Sequence, residues 1–167
     1  MAPDPLTSVV PAADLVAALS AAGQTIATAE SLTAGLLSAA IAGVPGASSV
    51  LRGGLVLYAT DLKSSLGGVD ATVLASDGPV AANTAEQLAI GALARCRADW
   101  GVGLTGVAGP DKQDGHDVGT VFLAIAGPEG TEVVRLQLAG NRWEIRLGAV
   151  SAAVSELVRR VRGGVSR

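Results

Sequence analysis

Three short polar stretches hold the residue types that could carry out a reaction. They are Ala29-Glu30-Ser31-Leu32-Thr33-Ala34-Gly35, Tyr58-Ala59-Thr60-Asp61-Leu62-Lys63 and Leu104-Thr105-Gly106-Val107-Ala108-Gly109-Pro110. Ser31 lies where an apolar, strand-like stretch passes into a helical one. Backbone N–H groups at such a junction lack partners and attract anions. With the hydroxyls of Ser31 and Thr33, that makes either a phosphate cradle or a serine nucleophile. Serine is also a preferred N-cap, and taken alone the segment is most simply explained that way. Lys63 is one of only two lysines, with Lys112. A lysine beside a buried strand end loses hydration, its pKa falls and it can act as a base. A serine hydroxyl is a weak nucleophile and needs such a base. Tyr58 could hold a proton or orient the lysine. The other account is a surface lysine beside a tyrosine that caps the core. Thr105 to Pro110 reads as a strand end followed by a tight glycine turn. Ligands gather at strand carboxyl ends in open α/β sheets, and glycines let N–H groups approach an anion or an oxyanion. The turn is not a P-loop, because the Gly-Lys-Ser/Thr ending is missing; a plain turn is the alternative.

Other chemistries find little support. His116, the only histidine, lies in the polar loop Asp111 to Asp117 and reads as solvated, which disfavours a Ser-His-Asp site. One histidine and one cysteine, Cys96, make a tight zinc site improbable. Asp111, Asp114 and Asp117 are evenly spaced but lack the ligand order of a calcium loop. No carboxylate pair for glycoside chemistry can be singled out. The net charge of −3 argues against direct nucleic-acid binding. Six of the 12 basic residues lie between Arg142 and Arg167, which reads as the cationic end of a closing helix. A single cysteine and no signal peptide predict a reducing, cytoplasmic setting. No stretch free of Gly, Pro and charge is long enough to predict a membrane span.

The elements that must position these residues follow from periodicity. Apolar residues make up 49% of the 167 positions, dominated by Ala, Val and Leu, with 22 glycines. That predicts one domain over residues 1–167, with its core at about 12–162. Helical spacing is expected over Pro11–Ala22, Ser31–Ala42 and Trp143–Val161, and from Pro79 to about Ala98. Strands are expected over Gln24–Ala29, Leu51–Tyr58, Trp100–Leu104, Thr120–Ala126 and Glu132–Leu138, the last two as a hairpin. Lys63 falls in a short helical or turn segment ending at Gly67-Gly68. The order α, β, α, β, short α, α, β, β, β, α predicts an α/β fold, a three-layer α/β/α sandwich with a mixed sheet.

Taken together, the segments resemble the CinA C-terminal domain family, the nicotinamide-nucleotide amidohydrolases. The family pattern Ala-Glu-Ser-Cys-Thr-Gly-Gly is matched by Ala29 to Gly35, and Pro-Gly-Ser-Ser loosely by Pro45 to Ser48. A glycine-containing strand ending in Tyr, then four residues and Lys, is matched by Arg52-Gly53, Tyr58 and Lys63. Thr105 to Pro110, Val118 to Val121, Gly140-Asn141-Arg142 and Ile145-Arg146 complete the series. The match runs from about Val16 to Val161. Each motif alone is weak; their order and spacing are specific.

The resemblance implies hydrolysis of the carboxamide of nicotinamide mononucleotide to nicotinate mononucleotide and ammonia. Ser31 would be the nucleophile, Lys63 its base and Tyr58 an assistant. Thr33, Gly35, Thr105, Gly106 and Gly109 would bind substrate or oxyanion, and Arg142 the charged part of the nucleotide. It further implies no metal or other cofactor, a small-molecule nucleotide as the partner rather than nucleic acid or membrane, and a homo-oligomer. Leu32 stands where the family usually has Cys, Ala34 where it has Gly, Asn141 where it has an acid and Ala81 where a Ser is common. The loop after Pro110 is poorer in glycine. These departures motivate an alternative, a catalytically weak or inactive nucleotide-binding or interaction module of the same fold. The family's association with competence suggests a DNA-linked role, against which the acidic charge balance speaks. Longer members carry an N-terminal nucleotide-hydrolysing domain, for which 167 residues leave no room.

Overall fold

Alternating side chains split the sheet's two faces, and the computed structural model, which describes residues 4–164, shows what each face buries. Five strands are ordered β2-β1-β3-β4-β5: β1 (Ile26–Glu30), β2 (Leu51–Val56), β3 (Trp100–Gly106), β4 (Thr120–Gly127) and β5 (Gly130–Gln137). β1 pairs in parallel with both β2 and β3, and β4 runs antiparallel to β3 and to β5. The sheet is mixed, as expected.

Val102 and Leu104 of β3, with Ile26, Leu123 and Ile125, face a layer built by α1 (Ala12–Ala22), α2 (Leu36–Ala42) and α6 (Arg142–Gly164). α6 places Ile145, Ala149, Val150, Ala153, Val154, Leu157 and Val161 there, the three- and four-residue spacing of one helical stripe. Each large aliphatic so buried contributes about 1.5–3 kcal/mol.

The opposite face is made of small residues. Ala27 and Ala29 of β1 and Gly101 and Gly103 of β3 lie under α5 (Ala82–Cys96). A Cβ at Gly101 would collide with the Ala89 carbonyl, and one at Gly103 with the Ala85 carbonyl. The many glycines and alanines therefore let α5 rest almost backbone on backbone against β3. Two short helices, α3 (Thr60–Ser65) and α4 (Ala71–Asp77), complete this layer. The result is one α/β/α domain. Among the described residues no helix is long and apolar enough to cross a membrane.

The main differences from expectation are three element boundaries and one additional helix. α2 begins at Leu36, not at Ser31, because residues 31–35 form a turn. α5 begins at Ala82, not at Pro79, whose carbonyl accepts the Thr105 hydroxyl instead. α4 is additional; Asp70 starts it by accepting from the Thr72 N–H at 2.8 Å, an ordinary N-cap. β2 ends at Val56, leaving Tyr58 in the connection to α3.

Candidate functional site

The carboxyl ends of the three parallel strands lie side by side, since Glu30 is level with both Val56 and Leu104. Ser31, Tyr58 and Thr105 therefore meet at one edge of the sheet. A cavity of about 110 Å³ opens there. Seven residues singled out from the sequence line it: Ser31, Tyr58, Lys63, Thr105, Gly106, Gly109 and Arg142. Thr33 and Gly35 do not.

The reason lies in Glu30, the residue whose part sequence reasoning missed. Its carboxylate is 1% exposed. It accepts from the backbone N–H groups of Gly35 (3.0 Å), Leu37 (3.0 Å) and Ser38 (2.9 Å), and from the hydroxyls of Ser38 (2.8 Å) and Thr28 (3.2 Å). Gly54 leaves room for this cluster; a Cβ there would lie 2.7 Å from Thr28 Oγ1 and closer still to Ser38 Oγ. The N–H groups expected to cradle a phosphate are thus occupied by the chain's own carboxylate. Ser31 is not the cap of α2: Gly35 holds the N-cap position, and the Glu30 carboxylate accepts the N–H groups there. The available signal was an acid immediately before the helix, where the dipole favours it.

Ser31 is free for other work. Its N–H donates to the Leu104 carbonyl at 2.9 Å, which ties it to β3. Its hydroxyl makes no hydrogen bond among the described residues and lines the cavity. Thr33 is fully buried, and its Oγ1 has no hydrogen-bond partner among the described residues. Arg146 of α6 holds this turn from behind, donating to the carbonyls of Leu32 (2.8 Å) and Thr33 (3.2 Å).

Lys63 is 2% exposed, so it is not a surface lysine. Its Nζ donates to the carbonyls of Leu57 (2.9 Å) and Tyr58 (3.1 Å), and no carboxylate pairs with it among the described residues. Burial holds its pKa below the ordinary lysine value. A neutral amine has two N–H bonds and one lone pair. A neutral Lys63 bonded in this way would keep its lone pair to accept a proton.

The remaining groups form the rim. Arg142 donates to the Gly109 carbonyl (2.5 Å) and the Tyr58 hydroxyl (2.8 Å), bridging two walls. Tyr58 is 57% exposed and keeps its own O–H proton to donate. Thr105 donates its hydroxyl to the Pro79 carbonyl at 2.6 Å, so toward the cavity it can only accept. The backbone N–H groups of Leu32, Ala108 and Gly109, all on lining residues, have no partner among the described residues and are available to an oxyanion. Asp111 and Gln113 also line the cavity, unforeseen because the loop read as solvated. Among the described residues no group of three or more His, Cys, Asp or Glu could hold a metal ion.

Of the departures from the family pattern, Ala34 and Asn141 fall outside the cavity and Leu32 lines it. Ala34 is exposed, at φ 48°, and does not line the cavity. Asn141 caps α6: its Oδ1 accepts from the N–H groups of Trp143 (2.9 Å) and Glu144 (3.1 Å), while Glu144 accepts from the Asn141 N–H at 2.7 Å. That is a reciprocal capping box. Leu32 packs its side chain into the core beneath α6.

Comparison with known proteins agrees with this fold. The family model described as CinA C-terminal domain matches residues 10–161. A CinA-like protein of Frankia casuarinae is 46% identical over 141 residues, 84% of this chain and 32% of its own length. The chain thus spans about a third of the length of such curated relatives. The crystal structure of a competence/damage inducible protein, CihA, from Agrobacterium tumefaciens matches with a TM-score of 0.86 and 33% identity, covering 95% of this chain and 97% of that one. A CinA superfamily protein from Klebsiella pneumoniae matches with a TM-score of 0.90 and 26% identity, covering 96% and 99%.

Proposed function

Because the chain belongs to the CinA C-terminal domain family, we propose that it is an amidohydrolase that converts nicotinamide mononucleotide to nicotinate mononucleotide and ammonia. One observation carries the reading. A serine hydroxyl without a hydrogen-bond partner among the described residues and a buried lysine with a lowered pKa line the same small cavity.

The chemistry follows from those groups. Neutral Lys63 accepts the Ser31 hydroxyl proton as Oγ attacks the carboxamide carbon. The carbonyl oxygen becomes an oxyanion, held by N–H groups such as those of Leu32, Ala108 and Gly109. Lys63 returns the proton to the departing nitrogen, which leaves as ammonia. Water then attacks the acyl-serine, giving up a proton to Lys63, and the carboxylate is released as Ser31 regains a proton. Tyr58, held by Arg142, can pass its hydroxyl proton along the same path. The unused N–H donors of Arg142 suit the nucleotide phosphate. The reaction requires no metal.

The alternative of binding without turnover draws no support from Ala34 or Asn141, which do not line the cavity; Leu32 does line it and replaces the thiol usual in the family, and it is the departure on which that alternative rests. Ammonia release from nicotinamide mononucleotide tests the proposal. Ser31→Ala and Lys63→Ala should each lower kcat by at least about 10³-fold, in line with losses of single members of catalytic triads. Unchanged turnover in both variants would sink the mechanism. Nucleotide binding without ammonia release by the wild-type protein would leave the binding module.

A further inference from the structure

The stretch between Gly109 and Gly119 is largely exposed, as expected of a polar loop, and folds as a hairpin at the cavity. Gln113 and His116 exchange backbone hydrogen bonds, Gln113 donating at 3.2 Å and His116 at 2.8 Å. Between them Asp114 and Gly115 both have positive φ, 50° and 78°, as a two-residue type I′ turn requires. An ion pair at 2.5 Å joins Lys112 to Asp117, the next residues outward. The His116 ring meets Phe122 of β4 edge-on, with centroids 5.8 Å apart. The first two contacts close the hairpin on itself, and the ring contact with Phe122 holds it to the sheet. Asp111 and Gln113 line the cavity from it, and neither side chain has a hydrogen-bond partner among the described residues.

We infer that Asp111 and Gln113 read the hydroxyl-bearing sugar of the nucleotide and so favour a ribosylated carboxamide over the free base. The inference rests on the amidohydrolase reading. A cavity of about 110 Å³ is small beside the roughly 300–1,000 Å³ of pockets that enclose a whole drug-sized ligand. It takes the carboxamide end, and the rest of the nucleotide lies at the mouth, beneath the hairpin. An ionised carboxylate only accepts hydrogen bonds. It therefore matches ribose hydroxyls, as acidic side chains do in dinucleotide folds, and it repels phosphate, which is left to Arg142. The Gln113 amide both donates and accepts, which suits a hydroxyl beside an ether oxygen.

Calorimetric binding of nicotinamide mononucleotide and of free nicotinamide tests this in the wild type, Asp111→Ala and Gln113→Ala, beside ammonia release from both compounds. For the nucleotide, Kd and KM should rise about 10-fold in Asp111→Ala and about 3-fold in Gln113→Ala. The kcat should stay within about twofold, as for a binding contact felt equally in ground and transition states. Binding of free nicotinamide should not change. Asp111→Asn keeps an acceptor oxygen and should recover part of the loss. An unchanged nucleotide Kd in both alanine variants, or an equal loss for the free base, overturns the inference. If the wild type binds the nucleotide without releasing ammonia, the reaction falls and the binding ratios still decide this inference. Wild type that binds neither compound overturns both.

Discussion

Glu30, the last residue of β1, and Lys63, on α3, are both buried ionisable side chains, and they are satisfied very differently. Glu30 receives five hydrogen bonds from backbone and hydroxyl donors, which spends its accepting capacity on the start of α2. Lys63 gives two hydrogen bonds to carbonyls and faces a cavity with the rest of its valence. The first arrangement fixes a turn; the second leaves a group able to change protonation state. Incompletely satisfied burial, more than burial itself, separates a reactive group from a structural one.

The contrast breaks most visibly through paired substitutions. Glu30→Ala strands three backbone N–H groups and should cost on the order of 3–4 kcal/mol. Thermal unfolding should register that as a fall of roughly 10 °C in Tm. Lys63→Met keeps the chain length and removes the buried amine, so its Tm should stay within about 2 °C of wild type or rise, as when buried ions give way to apolar residues. Equal losses in the two variants would erase the distinction.

A pH series sharpens it. The folded chain releases the Lys63 proton at a lower pH than the unfolded chain, because burial lowers that pKa. Between the two values the unfolded state carries more protons, so Lys63's share of stability rises with pH. Below both values the full cost of the buried ammonium is present. The Tm advantage of Lys63→Met should therefore be largest at low pH and shrink toward alkaline pH. On the same ground kcat/KM should rise with pH through the lowered Lys63 pKa. A profile flat up to the ordinary lysine range would contradict a neutral base.

The smallest effect lies next to Ser31. Ala34 occupies the left-handed region, which costs a residue with a Cβ roughly 1–2 kcal/mol. Glycine relieves that, while its freer unfolded chain takes back about 0.4–1 kcal/mol. Ala34→Gly should thus gain between nothing and about 1.6 kcal/mol by thermal unfolding and leave activity unchanged. A change in kcat would mean that this turn tunes the nucleophile.

Much of the architecture was legible because alternation and helical spacing are local. The β4–β5 hairpin and the long stripe of α6 follow directly from their apolar positions. What sequence could not settle were competitions for hydrogen-bonding groups. Ser31 resembled a cap until Glu30 was seen to hold the α2 N–H groups, which also excluded Gly35 from anion binding. Thr105 offered a hydroxyl until the Pro79 carbonyl was seen to take its proton. Lys63 read equally well as exposed or buried, and only the fold, which buries it with its amine on the Leu57 and Tyr58 carbonyls, decides it. Asp111 and Gln113 were hidden by the polarity of their loop, since composition does not reveal which way a hairpin leans.

The near-contact of α5 with β3 has a mechanical consequence. Where backbone meets backbone, no rotamer can give way, so neither element can slide or roll without the other. The Thr105–Pro79 hydrogen bond ties the entrance of α5 to the floor of the cavity. That wall therefore behaves as a fixed anvil. Admission of a ligand and escape of a product fall to the opposite wall, where the hairpin and Arg142 meet the rest of the rim through hydrogen bonds that a passing molecule can exchange.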